Sequence, residues 1–282
     1  MTHTKSRLLL LGGTTESLAL AEQLAQKPAE HPGLTVITSL AGRTVAHRLP
    51  PGEIRVGGFG GAAGLAAYLE SAAIDLVVDA THPFAATISR NAALACNSAG
   101  VPRLQLLRPA WERVTGDLWH GVPDIDAAAK ALPAAGQTVF LAVGRQELAR
   151  FAGSPGLRLI ARMIDPPDDN RADNSGANRC GSFSDFEIIL ARGPFGEADE
   201  EALFKSAHVD MIVSKNSGGD ATYAKIAAAR RLGIPVLMID RPAPEPGDNA
   251  ATVDAALAWI SAQLSLATAN TAASQPRNLT AR

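Results

Sequence analysis

Apolar residues fall into short unbroken runs along the chain, and each run is followed by a stretch in which they recur at helical spacing. The first run ends at Gly12 and Gly13, and the next segment, 16–27, places its leucines and alanines on one helical face. Later runs such as LTVITSLAG and IDLVVDATHPF are of the same kind. Unbroken apolar strands are typical of parallel sheets that helices cover on both faces. The pattern therefore predicts an α/β fold of parallel sheets flanked by helices.

A less regular stretch, residues 110–122, separates two such series of strands and helices. It combines alternating apolar residues with turn residues, as connectors do, and we expect a hairpin there. A second series runs from residue 124 to a last helix predicted at 250–265. We therefore predict three segments: an N-terminal Rossmann-like domain over 1–115, a C-terminal Rossmann-like α/β domain over 116–266 and a flexible tail over 267–282.

The composition of the 282-residue chain is that of a packed globular protein, because 46% of its residues are hydrophobic and 19% are charged. A net charge of -2 lacks the basic excess of nucleic-acid binders, and no segment has the roughly 20 apolar residues that span a bilayer. Cys96 lies in an apolar helical pattern and Cys180 in a polar insert, 166–182, that reads as a mobile loop. We expect a cytoplasmic protein with no nucleic-acid or membrane partner, and the oligomeric state stays open.

In open α/β sheets, ligands bind beyond the carboxyl ends of the strands, so residues that follow each predicted strand are candidates for function. Most of these turns combine glycine with hydroxyl or cationic side chains, which is typical of anion sites. The candidates are Gly12, Gly13, Thr14, Thr15, Glu16, Ser39, Gly42, Arg43, Asp79, Thr81, His82, Pro83, Gly144, Arg145, Arg192, Gly193, Pro194, Lys215, Asn216, Ser217, Gly218 and Gly219.

The first turn has two adjacent glycines instead of the three spaced ones of the usual dinucleotide motif. Gly12 and Gly13 permit a ligand to approach the backbone closely, and the hydroxyls of Thr14 and Thr15 suit a phosphate. Glu16 would repel a phosphate, so it either caps the following helix or hydrogen-bonds a ligand hydroxyl. The alternative is a turn whose small residues serve packing alone.

Arg43 follows the second predicted strand. NAD-binding folds carry an acidic residue near this place, which holds the ribose 2′-hydroxyl, whereas an arginine suits a 2′-phosphate. If a dinucleotide binds here, the phosphorylated form is therefore favoured. The alternatives are an exposed arginine in a loop or one that binds an anionic substrate.

Lys215 leaves an apolar strand and is therefore expected in a cleft. There it could bind a phosphate, bind a carboxylate or donate a proton. The next four residues, Asn216, Ser217, Gly218 and Gly219, resemble a nest for an anion. The alternative is a capped turn with a solvated lysine.

His82 precedes a proline at a strand end, where it could move protons near neutral pH or be a buried histidine bonded to the backbone. No second ligand stands at metal-binding spacing, so we predict no metal site. The sequence has no nucleophile elbow and no P-loop, and hydrolase and kinase classes lack support.

Six motifs in the order LLLGGTTE, SLAGR, DATHPFA, VGRQEL, ARGPF and VSKNSGG resemble the precorrin-6A reductase family of cobalamin biosynthesis. The resemblance covers about residues 7 to 242. It implies two Rossmann-like domains with a ligand cleft between them. It further implies an NADPH-dependent reduction of one double bond of an anionic tetrapyrrole, precorrin-6A, giving precorrin-6B.

Under this resemblance, hydride transfer needs a proton donor, and Lys215 is the first candidate, followed by His82, Tyr223 and water. The candidate contacts of the substrate carboxylates are Arg43, Arg145, Arg192 and Lys215, shared with the cofactor phosphates. The expected cofactor contacts are Gly12, Gly13, Thr14, Thr15, Glu16, Ser39, Arg43, Thr81, His82, Pro83, Gly144, Arg145, Lys215, Asn216, Ser217, Gly218 and Gly219.

Two other classes of protein use similar domains. Methyltransferases and glycosyltransferases are built from Rossmann-like halves, but they usually carry an acidic residue after the second strand or a metal-binding acidic pair. A non-catalytic nucleotide-binding module is also compatible with the fold.

Overall fold

The computed structural model describes residues 5–42, 49–133, 135–164 and 185–273. It separates into two units, one made of Met1–Arg108 with Ala243–Arg282 and the other of Pro109–Pro242. Cys180 and the predicted loop at 166–182 lie outside the described residues. No helix among the described residues is long and apolar enough to cross a membrane.

Most of the strands occur at the places that the apolar runs predict, but the short strand at Asp248–Ala250 was not predicted. Their bounds are β1 Ser6–Leu11, β2 Leu34–Leu40, β3 Glu53–Val56, β4 Leu76–Asp79, β5 Arg103–Leu106, β6 Trp119–Val122, β7 Thr138–Ala142, β8 Arg158–Met163, β9 Phe186–Leu190, β10 Met211–Lys215, β11 Val236–Ile239 and β12 Asp248–Ala250.

Helices connect most of the strands. Their bounds are α1 Thr15–Gln26, α2 Gly61–Ser71, α3 Ala86–Ala99, α4 Ile125–Lys130, α5 Glu197–Ser206, α6 Ala224–Leu232 and α7 Val253–Ala273, with short 3₁₀ helices at Arg145–Arg150 and Asp220–Thr222.

The described part of the first unit contains a six-stranded sheet in the order β12-β5-β4-β1-β2-β3, and every neighbouring pair is parallel. This is the strand order of the doubly wound dinucleotide-binding fold. The side chains of Leu8 and Leu10 pack with α1 and α7, whereas those of Leu9 and Leu11 pack with α2 and α3. All four leucines are at most 2% exposed, as a strand covered on both faces requires.

The described part of the second unit repeats this order, β6-β11-β10-β7-β8-β9, and is again parallel throughout. The strands β7 to β11 take the positions that β1 to β5 have in the first sheet, and β6 takes the position of β12. The prediction of parallel sheets flanked by helices is therefore confirmed.

The expected hairpin at 110–122 is wrong. β6 is formed there, but it pairs in parallel with β11, so that Trp119 stands opposite Val236. Trp119 and Trp111 pack on the core of this unit beside Val236. An alternating pattern specifies a strand with one buried face, but it does not specify which strand pairs with it.

The predicted division at 116–266 also needs correction, because β12 and α7 belong to the first unit. β12 extends the first sheet beside β5, and Ala256 and Ile260 of α7 are fully buried in a core with Leu20 and Leu24 of α1. The order of the elements along the sequence does not indicate that the last strand and the last helix pack with the first unit.

The tail differs from the flexible segment expected from residue 267. Instead α7 continues to Ala273, and residues 274–282 lie outside the described residues. The added turns are rich in alanine and contain neither glycine nor proline, so nothing in the sequence ends the helix earlier.

Candidate active site

The glycine turn after β1 is tightly fitted. The N–H of Gly12 donates to the carbonyl of Ser39 at 2.9 Å, and a Cβ at Gly12 would lie 3.0 Å from Cγ2 of Thr38. Gly13 has a φ of 115°, which favours glycine. The turn therefore needs both glycines, and its backbone is set against the end of β2.

Thr14 caps α1 and does not offer a free hydroxyl. Its Oγ1 accepts from the N–H of Ser17 at 3.1 Å and donates to the carbonyl of Ala80 at 2.8 Å, beyond the end of β4. Oγ of Ser17 accepts from the N–H groups of Gly13 and Thr14, each at 3.0 Å. Sequence reasoning missed Ser17, although the spacing of two hydroxyl residues three apart is the signal of a capping box. These bonds fix the crevice between β1 and β4.

Glu16 forms an ion pair, which the sequence did not indicate. Oε2 of Glu16 lies 2.7 Å from Nη1 of Arg108, and it also accepts from the hydroxyl of Thr15 at 3.1 Å. Burial raises the pKa of Glu16, but its backbone hydrogen bond and Arg108 outweigh burial and hold the pKa below its ordinary value of 4.5. The charge that would repel a phosphate at this helix terminus is therefore neutralised by Arg108.

We expect Glu16→Gln to remove part of the acid sensitivity of folding. Because the folded-state pKa of Glu16 lies below the unfolded value, its stabilisation is fully present above about pH 4.5 and is lost as the pH falls through the folded-state pKa. The pair is partly exposed, so the effect should be about 0.5 to 1 kcal/mol. Denaturant unfolding of both proteins at neutral and acid pH measures it, and a stability difference that does not shrink on acidification contradicts this prediction.

The segment after β4 holds two predicted residues in defined contacts. The N–H and hydroxyl of Thr81 donate to Oδ1 of buried Asp79 at 3.2 and 2.7 Å. His82 is exposed, and its Nδ1 accepts from the N–H of Phe84 at 3.2 Å, which places the proton of a neutral ring on Nε2. The alternative of a buried histidine is therefore wrong. Pro83, which follows His82, is half-buried.

Arg43 lies outside the described residues. Gly42, which precedes it, has a φ of 71° and leaves room for Cγ1 of Val56. Ser39 is buried at the end of β2 and pairs in register with Arg55 of β3. Arg55 was not predicted, and no pattern in the sequence marks it.

In the second unit, Lys215 and Glu147 meet at the crevice between β10 and β7. Nζ of Lys215 lies 2.5 Å from Oε1 of Glu147, and their side chains are 15% and 28% exposed. A Cβ at Gly144 would clash with Oε2 of Glu147, so the glycine lets this carboxylate fold back over the turn. Glu147 was missed, although it stands within the VGRQEL motif.

The turn after β10 is built against the segment that begins this unit. The side-chain amide of Asn216 accepts from the N–H of Trp111 at 2.8 Å and donates to its carbonyl at 3.0 Å. The indole of Trp111 donates to the carbonyl of Gly219 at 2.8 Å, and Nε of Arg241 donates to the carbonyl of Asn216 at 2.6 Å. Gly218 has a φ of 63°, and a Cβ there would clash with the carbonyl of Pro109. Asn216, Gly218 and Gly219 thus shape the turn that presents Lys215.

The remaining candidates of this unit lie around that turn and after other strands. The hydroxyl of Tyr223 accepts from Nη2 of Arg230 at 2.5 Å, and Ser217 is buried with its Oγ 3.5 Å from that of Thr222. Arg145 begins the 3₁₀ helix after β7 and is half-buried, whereas Arg192 is exposed after β9. Among the described residues, no group of three acidic, histidine or cysteine side chains could hold a metal.

Two parallel sheets with dinucleotide-binding strand order, each with a glycine turn at its central crevice, define a Rossmann-type α/β protein. The family model of precorrin-6x reductase CbiJ/CobK matches residues 7–261. The chain belongs to this family of reductases.

Individual relatives agree with the family match. Precorrin-6A reductase of Rhodococcus erythropolis is 47% identical over 90% of this chain and 97% of its own length. Precorrin-6A reductase of a Sinorhizobium species is also 47% identical, over 90% of this chain and 92% of its own. A solved structure, CobK precorrin-6A reductase, superposes with a TM-score of 0.81 at 41% identity, covering 92% of this chain and 97% of that one.

Proposed function

We propose that the protein reduces one double bond of precorrin-6A, with NADPH as the reductant. The observation that supports this most is the similarity to relatives of that name along nearly the whole chain, at up to 47% identity. Cobalt-precorrin-6A reductases, such as that of Priestia megaterium, are at most about 30% identical among the relatives compared. The metal-free macrocycle is therefore the favoured substrate.

The first unit offers a place for a dinucleotide. A Cβ at Gly13 would meet no described atom within 4 Å, so a ligand can approach the backbone there, and α1 directs its amino terminus at the crevice between β1 and β4. Arg108 compensates the charge of Glu16, so a pyrophosphate there meets no net repulsion from that carboxylate. The hydroxyl of Thr14 is engaged internally, so its contribution is to hold the turn. When bound, NADPH supplies the hydride.

Lys215 of the second unit is the proposed donor of the proton that the reduction needs. Lys215 is largely buried at the end of β10, and Glu147 holds its ammonium group in one position. An ammonium can donate a proton to the carbon next to the one that receives hydride, and Glu147 then faces the neutral amine. Arg145 follows β7 and Arg192 follows β9, two strands of the same sheet that β8 separates, and both supply cations for the carboxylates of the substrate.

Anaerobic assays with both macrocycles and both nicotinamide cofactors test this function. We expect precorrin-6A to be consumed with NADPH, and much more slowly with NADH or when cobalt-precorrin-6A replaces it. Equal rates with the cobalt form would contradict the substrate assignment, and faster rates with NADH would contradict the cofactor.

A further inference from the structure

An arginine of the first unit lies at the carboxyl end of β3, next to the end of β2. Arg55 pairs in register with Ser39, and Ser39 pairs with Leu11, the residue before the glycine turn. Nη1 of Arg55 lies 3.5 Å from Oγ of Ser39, so the two side chains share one face of the sheet. This places a guanidinium at the edge where the turn after β1 begins.

The guanidinium is held in one orientation. Nη1 donates to the carbonyl of Gly57 at 2.5 Å, and Nη2 donates to the carbonyl of Gly58 at 2.7 Å. Cζ of Arg55 lies 3.7 Å from the ring centre of Phe59 and 5.1 Å from that of Tyr68. A side chain fixed in this way loses little conformational entropy when a ligand binds to it.

The charge of Arg55 is not compensated by a carboxylate in the part of the chain that the structure describes. Its contacts there are two carbonyls, one hydroxyl and two rings, whereas Glu53 on the same strand pairs with Arg7. These polar contacts occupy three of the five N–H donors of a guanidinium. The remaining donors and the full positive charge suit an anion.

We propose that Arg55 binds the 2′-phosphate of the cofactor and sets the preference for NADPH over NADH. This rests on the proposed function. In dinucleotide-binding folds the ribose 2′ position is recognised near the end of the second strand, by an acid for the hydroxyl and by an arginine for the phosphate. β2 ends here in Ser39 and Leu40 and offers no acid, while Arg55 stands beside Ser39.

Calorimetric titration with 2′,5′-ADP and 5′-AMP tests this role without the substrate, because the two probes differ only in the 2′-phosphate. We expect Arg55→Gln to weaken 2′,5′-ADP by about tenfold or more, as for a lost hydrogen bond between charged groups, and 5′-AMP by less than about threefold. Lys27→Gln removes one exposed cation from the far end of α1 and should change neither affinity.

The outcomes separate three accounts. If Arg55→Gln weakens both probes equally, Arg55 only supports the loop, and the proposal is wrong. If the variant keeps the full preference for 2′,5′-ADP, another residue reads the phosphate, and the proposal is again wrong while NADPH use stands. If the wild-type protein binds neither NADPH nor 2′,5′-ADP, the cofactor assignment itself fails and the proposal falls with it.

Discussion

Replacing Lys215 by methionine is expected to lower the turnover of precorrin-6A by about 100-fold or more, because general acid catalysis contributes on that scale. Methionine keeps the length and the apolar stem of the side chain but removes the ammonium that Glu147 holds. The affinity for NADPH, measured by titration without substrate, should change little. Turnover at saturating cofactor and substrate is the deciding measurement.

Two further variants separate proton donation from charge. Arg in place of Lys215 keeps a cation but cannot give up its proton, so Lys215→Arg should be nearly as slow as the methionine variant. Lys205→Met removes an exposed lysine of α5 in the same unit and should leave turnover unchanged. If Lys215→Arg retains most of the activity, Lys215 binds an anion and is not the proton donor.

Gly218→Ala is expected to destabilise the second unit by roughly 3 kcal/mol or more, which is at the upper end for a single substitution. Gly218 has a φ of 63°, and the added methyl group would meet the backbone carbonyl of Pro109, which cannot move as a flexible side chain can. The Asn216–Trp111 hydrogen bonds and the bond from Trp111 to Gly219 hold the two segments at this distance. Denaturant unfolding followed by tryptophan fluorescence measures the loss.

Gly233 supplies the matched control for this substitution. It has nearly the same φ, 65°, at the end of α6 in the same unit, but a Cβ added there would meet no described atom within 4 Å. Gly233→Ala should therefore cost only about 1 kcal/mol, from backbone strain alone. If the two alanine variants lose equal stability, the contact with Pro109 has no energetic weight.

The strands and the turns could be predicted because the residues that specify them are neighbours in the sequence. The run of Leu8 to Leu11 is short, has no polar side and ends at two glycines, which favours a strand buried on both faces. Gly12 and Gly13 were predicted to form a tight turn after the first strand, and the structure has that turn: Gly12 leaves room for Cγ2 of Thr38, and Gly13 has a φ of 115°. The same reasoning located Lys215 at a strand end.

Partners far apart in the chain could not be predicted in this way. The partner of Glu16 is Arg108, 92 residues away, and that of Asn216 is Trp111, 105 residues away. A single sequence carries no signal for such pairs, so Glu16 stayed ambiguous and Asn216 was assigned to an anion nest. The return of β12 to β5 is a long-range pairing of the same kind, and it displaced the predicted domain boundary.

Deuterium labelling of the cofactor follows the proposed transfer of hydride from NADPH to precorrin-6A. The protein is incubated anaerobically with precorrin-6A and NADPH that carries deuterium at the transferable position, and the macrocycle is examined by mass spectrometry. Hydride transfer from NADPH predicts a reduced product with one deuterium from the cofactor and one hydrogen from water. A reduced product without deuterium, or no reduction by the folded protein, would contradict it.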